Sequence, residues 1–99
     1  MANGFNSADF LIDNRVVNAV RGNADALYDL GVAYSTGSGG VGADLIAAHK
    51  WFNLAALNGS EQAMICRADI SDDMTAREIV EAQRQARAWL QATGQRRAA

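Results

Sequence analysis

Two side chains in the sequence have the chemistry of a catalytic base, a nucleophile or a metal ligand: the single histidine, His49, and the single cysteine, Cys66. A catalytic or metal-bound histidine needs a partner, and the residues one helical turn from His49 are Leu45 and Asn53. A nucleophilic cysteine needs a nearby base or cation, and Cys66 has only the adjacent Arg67. We therefore predict a solvent-edge histidine and an ordinary half-buried thiol.

Two further patterns resemble ligand-binding motifs but lack the context that those motifs need. Residues 37–42, Gly-Ser-Gly-Gly-Val-Gly, have the letters of the dinucleotide fingerprint, which requires a strand before the glycines. A helical pattern precedes them instead, so we interpret this segment as a turn between two helices. Asp69, Asp72 and Asp73 lack the spacing of a calcium loop, and we predict a solvated turn there.

Length and composition favour one small helical domain. The chain has 99 residues, of which 49% are hydrophobic, 20% are charged, 20 are alanine and none is proline. Alanine has the highest helix propensity, and the absence of proline leaves helices uninterrupted. One cysteine excludes an internal disulfide, and one histidine excludes a multi-histidine metal site. We expect no cofactor.

Charge and hydropathy narrow the expected partners and location. A net charge of -2 argues against a nucleic-acid partner. No apolar stretch approaches the roughly 20 residues of a membrane span, so we expect no membrane partner. The first twenty residues include Asp9, Asp13 and Arg15 and lack the apolar core of a signal peptide. We therefore expect a cytoplasmic protein.

Apolar periodicity, capping residues and glycines predict five helices and no strand. The predicted segments run from Ser7 to Gly22, from Ala24 to about Ser35, from Asp44 to Gly59, from Ser60 to about Ile70, and from Thr75 to Gly94. Thr75 and Glu78 fit a capping box at the start of the last segment. The core-facing side of that segment is predicted to comprise Ile79, Ala82, Gln83, Ala86, Trp89, Leu90 and Thr93.

The chain repeats itself. At an offset of 37, residues 22–27 match residues 59–64; at an offset of 38, the Ala-x-x-Trp-Phe of residues 48–52 matches Ala-x-x-Trp-Leu of residues 86–90. A two-helix repeat of this length indicates a helical solenoid, in which neither helix buries its apolar face alone.

Residues 24–59 also carry a family pattern: A-x-x-x-L-G-x-x-Y, then G-V-x-x-D, then A-x-x-W-F-x-x-A-A-x-x-G. This pattern resembles one complete Sel-one-like repeat, a relative of the tetratricopeptide repeat. The resemblance implies an all-α fold, a short tetratricopeptide-like solenoid of about five antiparallel helices. It divides the single domain into an N-terminal capping helix (7–21), the complete repeat (24–59), a degenerate terminal repeat (60–94) and a basic tail (95–99).

Small and aromatic residues in this repeat predict how its two helices pack. A glycine inside a helix costs about 1 kcal/mol relative to alanine, so Gly31 suggests that another helix approaches closely. We expect Tyr34, Trp51 and Phe52 to fill the groove between the two helices.

The resemblance further implies that the first helix of each pair lines a concave surface. We predict that this surface makes the protein a non-catalytic protein–protein interaction module, a small adaptor or scaffold that binds a protein or peptide. An exposed tyrosine, two branched aliphatic residues and acidic groups provide an anchor and a polar rim. The predicted partner-binding residues are Asp25, Tyr28, Asp29, Val32, Gln62, Ile65, Cys66 and Asp69.

Three alternatives remain at this stage. Some of these residues could pack against the neighbouring helix instead of a partner. The chain could also self-associate into a homo-oligomer, because residues 1–75 have four basic and nine acidic side chains whereas residues 76–99 have five arginines and two glutamates. A small-ligand-binding or enzymatic domain is the third choice, although no acid–base or nucleophile–base pair is evident.

Overall fold

The computed structural model describes residues 16–94, which are helical and contain no β-strand. The helices are α1, described at residues 16–20, α2 (Ala24–Thr36), α3 (Leu45–Leu57), α4 (Glu61–Ser71) and α5 (Ala76–Thr93). The prediction of an all-α fold is confirmed. Three predicted features lie outside the described residues: the start of the first helix at Ser7, most of the N-terminal capping helix, and the basic tail (95–99).

Side-chain caps determine where the four complete helices begin. Asn23, Asp44, Ser60 and Thr75 each accept a hydrogen bond from a backbone N–H in the first turn of α2, α3, α4 and α5, respectively. Thr75 and Glu78 form the predicted capping box, in which Glu78 accepts from the Thr75 N–H at 2.8 Å. These contacts satisfy backbone donors that have no partner within the helix.

The glycine-rich segment is a turn, as predicted. Gly37 ends α2 in the left-handed region at φ 75°, and its N–H donates to the Ala33 carbonyl at 2.8 Å. The Asp44 N–H then donates to the Tyr34 carbonyl at 2.8 Å, which joins the end of α2 to the start of α3. The glycines thus reverse the chain between two helices, with no strand before them.

The helices α2 and α3 close around Gly31. A Cβ atom at this position would lie less than 3.0 Å from three carbons of the Phe52 ring. Phe52 is 1% exposed, and Leu27 and Leu30 of α2 are equally well buried. The predicted close approach at Gly31 is therefore confirmed, and the group that fills the space is the Phe52 ring.

The central helix of the domain is α3, which packs against α2, α4 and α5. On its α5 side, Trp51 meets Trp89 edge to face, with ring centroids 4.8 Å apart. The Lys50 ammonium lies 4.4 Å from the Trp51 ring centroid, at a distance suited to a cation–π contact. Trp51 is buried as expected, but it joins α3 to α5, whereas Phe52 fills the groove toward α2.

The second pair of helices does not repeat this closure. The α4 and α5 backbones do not run close together, and each packs mainly against α3. Leu27 and Gly31 are buried in α2, but their counterparts at an offset of 37, Met64 and Ala68, are exposed in α4. The prediction that Gln83 lies on the core face of α5 is wrong: Gln83 is exposed because α4 does not cover that side of α5.

Candidate protein-binding surface

The structure corrects the prediction for His49. This residue is 4% exposed, because α2, α4 and α5 surround α3, and its Nδ1 atom has no hydrogen-bond partner. Burial lowers the pKa of His49, and the positive charge of Arg67 lowers it further. His49 is thus a buried core residue rather than a solvent-edge one. Nowhere in residues 16–94 do three His, Cys, Asp or Glu side chains lie in an arrangement that could hold a metal ion.

Tyr28 and Cys66 bring the first helices of the two pairs together. The Tyr28 hydroxyl lies 3.9 Å from Cys66 Sγ, and the Tyr28 ring packs against Phe52 with centroids 5.7 Å apart. The hydrogen bond to Cys66 raises the pKa of Tyr28, as do burial and the negative charge of Asp29. The structure corrects the expectation of an exposed tyrosine: Tyr28 is half-buried, because it lies at the α2–α4 contact. The half-buried thiol is confirmed.

The predicted partner-binding residues fall into two groups, which together form what we call the α2–α4 surface. Val32, like Tyr28 and Cys66, is half-buried and packs against the core. Ile65 is 57% exposed and is the large apolar side chain that this surface presents most fully to solvent. The exposed polar members are Asp25, Asp29, Gln62 and Asp69.

The α2–α4 surface is acidic. Its eight residues include three carboxylates and no lysine or arginine. Arg67, the basic residue of α4, donates from Nη1 to Asn53 Oδ1 of α3 at 2.6 Å and is therefore held toward α3. Asp25 and Asp29 are one helical turn apart, a spacing at which like charges repel. The ion pair found within residues 16–94 lies elsewhere, on α5.

The outward side of α5 carries the basic residues noted in the sequence. Arg77, Arg84 and Arg87 are exposed there. Arg84 donates two hydrogen bonds to the Glu81 carboxylate, at 2.9 and 2.7 Å. Together with a hydrogen bond from the Gln85 amide, they lower the pKa of Glu81 to about 2. Val80 is also 60% exposed. Part of the positive charge on this side is thus neutralised within the helix.

Sequence reasoning missed the exposure of Met64, which is 50% accessible. The offset of 37 places Met64 where Leu27 stands, and the leucine is fully buried. The sequence contains one indication of this difference, because α4 has Ala68 one turn later, at the position where α2 has Gly31. Without the glycine, no aromatic ring from the next helix can approach as closely as Phe52 approaches α2.

Within residues 16–94, no helix combines the length and the hydropathy needed to cross a bilayer. The family model of the Sel1 repeat matches residues 24–60, which comprise α2, the glycine-rich turn and α3 with its caps. Searches of curated proteins and of solved structures give no match to this chain. Sel1 repeats generally mediate protein–protein interactions and are generally non-catalytic. Residues 24–60 of this chain thus form a Sel1 repeat.

Proposed function

We propose that this protein is a non-catalytic adaptor or scaffold that binds a protein or peptide on the α2–α4 surface. The observation that carries the proposal is the contact between Tyr28 and Cys66, which joins α2 and α4 into one continuous face. Ile65 supplies an exposed apolar anchor on that face, and exposed polar side chains surround it. An apolar anchor inside a polar rim is typical of protein-binding surfaces.

Peptide selection followed by a matched pair of variants tests this proposal. Peptides are selected from a random display library against the intact chain, and their affinities are then measured for Ile65→Ser and Val80→Ser. Both residues are exposed, at 57% and 60%, so neither change should alter the helical circular dichroism. We expect Ile65→Ser to abolish binding and Val80→Ser to leave it unchanged. Selected peptides that respond only to Val80→Ser would contradict the proposal.

Self-association through the ends of the helical stack is the second candidate function. Two exposed apolar side chains on the second pair of helices support it, Met64 of α4 and Val80 of α5. The arginines on α5 add positive charge there, while the acidic residues Asp9 and Asp13 lie outside the described part of the chain. Sedimentation at low and high salt tests this candidate, because an assembly held by opposite charges dissociates as screening increases. A monomer at both salt concentrations would exclude it.

A further inference from the structure

The exposed apolar side chain on α4 lies between two negative charges. Ile65 is one helical turn from Glu61 and one turn from Asp69, and both carboxylates are exposed. Residues four apart on a helix are surface neighbours, so a ligand side chain that packs on Ile65 must pass close to carboxylates. Asp25 and Asp29 provide the same one-turn spacing of negative charge on α2, across the Tyr28–Cys66 contact.

The protein does not neutralise this charge itself. Arg67 is held by Asn53 of α3, and none of these four carboxylates has an ion-pair partner among residues 16–94. Gln62, the remaining exposed polar residue of the surface, is neutral. The negative potential therefore remains available to a ligand and disfavours any ligand of the same sign.

We infer that the ligand of the α2–α4 surface is a cationic peptide segment with one aliphatic side chain flanked by lysine or arginine, an inference that rests on the proposed function. The aliphatic group packs on Ile65, and the flanking cations meet the carboxylates of α2 and α4. A mainly apolar partner is disfavoured, because Ile65 is the one large apolar side chain of this surface that is more than half exposed. Acidic peptides and nucleic acids are disfavoured by charge.

Three synthetic peptides of equal length test the charge assignment. They share a central leucine, carry a fluorescein label and differ in whether lysine, glutamine or glutamate flanks the leucine. Fluorescence anisotropy measures their affinity for the intact chain at low and at physiological ionic strength. We expect the lysine peptide to bind most tightly and to weaken as salt rises, because screening acts on exposed charges over a Debye length of about 8 Å.

Matched charge-neutralising variants locate the effect. Asp25→Asn combined with Asp29→Asn should weaken the lysine peptide several-fold, since an exposed ion pair changes affinity by roughly 1.4- to 5-fold. The control, Asp72→Asn combined with Asp73→Asn, removes the same charge from the turn after α4 and should have little effect at physiological salt. Equal weakening by both pairs of changes would overturn the inference.

The outcomes separate this inference from the proposed function. If the glutamine or glutamate peptide binds as tightly as the lysine peptide and Ile65→Ser abolishes that binding, the charge assignment is wrong and the proposed function stands. The same conclusion follows if the display library yields binders that are sensitive to Ile65→Ser but none of the three peptides binds. If every peptide that binds is insensitive to Ile65→Ser, both fail.

Discussion

Replacing Gly31 with alanine has two opposite effects on stability: it improves helix propensity and it disturbs the packing of the core. The structure indicates which effect is larger. Inside a helix, alanine is favoured over glycine by about 1 kcal/mol. The added Cβ, however, would lie less than 3.0 Å from three carbons of the Phe52 ring, and this ring is 1% exposed and cannot turn into solvent. Overpacking of a core typically costs about 1–3 kcal/mol and occasionally more.

Because three ring carbons are too close at once, we expect an overpacking cost in the upper part of this range, about 2–3 kcal/mol. The expected net effect of Gly31→Ala is therefore a loss of about 1–2 kcal/mol in the free energy of unfolding. For a domain of this size, that loss lowers the melting temperature by roughly 4–16 °C. Thermal and urea unfolding followed by circular dichroism measure both quantities. A Gly31→Ala variant as stable as the original protein, or more stable, would refute the close packing of α2 on α3.

Two further variants isolate the cause. Gly42→Ala is the matched control, because a Cβ at Gly42 meets nothing within 4 Å, and we expect no loss of stability. In a Phe52→Leu background the smaller side chain leaves room for the methyl group. There, Gly31→Ala should be neutral or stabilising by up to about 1 kcal/mol. A loss that is the same in both backgrounds would show that Phe52 is not the obstacle.

Three more predictions concern the core and the caps. Burial lowers the pKa of His49 below its ordinary value of 6.5, so the unfolded chain takes up a proton at a higher pH than the folded one. The free energy of unfolding should therefore fall as the pH drops below about 6.5. Urea titrations at several pH values should show this decrease in the original protein, and His49→Leu should lack it. Trp51→Ala removes the edge-to-face contact with Trp89 and should cost about 3–5 kcal/mol in chemical unfolding, and an unchanged midpoint would contradict this packing. Thr75→Ala removes the capping box at the start of α5 and should lower the free energy of unfolding by about 0.5–2 kcal/mol. Thermal melting measures this loss, and an unchanged melting temperature would contradict the role of the cap.

Local chemistry made much of the repeat predictable from the sequence. The N-caps and the turn glycines satisfy backbone groups within a few residues, so Asn23, Asp44 and Ser60 mark their helices without knowledge of the tertiary structure. Gly31 is unfavourable in a helix unless another group occupies the space of its missing side chain. Its presence in α2 therefore predicted a close contact with another helix.

The burial of His49 and the opening between α4 and α5 depend on how many helices cover each face, which local patterns do not report. Periodicity located a core stripe on α3, but that helix is covered on three sides, so a polar residue outside the stripe is also buried. The repeat alignment likewise treats α4–α5 as a copy of α2–α3. Met64 and Ala68 are exposed because α5 packs on α3 instead. Two of the eight residues of the candidate surface, Tyr28 and Cys66, are partly covered for the same reason, since they pack against each other across α2 and α4.

Photo-crosslinking at two matched positions tests most directly whether the α2–α4 surface is where a partner binds. Benzoylphenylalanine is introduced in place of Ile65 or of Val80, which are similarly exposed on α4 and α5, and the protein is irradiated in its native cells. We predict a discrete partner adduct from position 65 and none from position 80. An adduct from position 80 with none from position 65 would contradict the assignment of the binding surface.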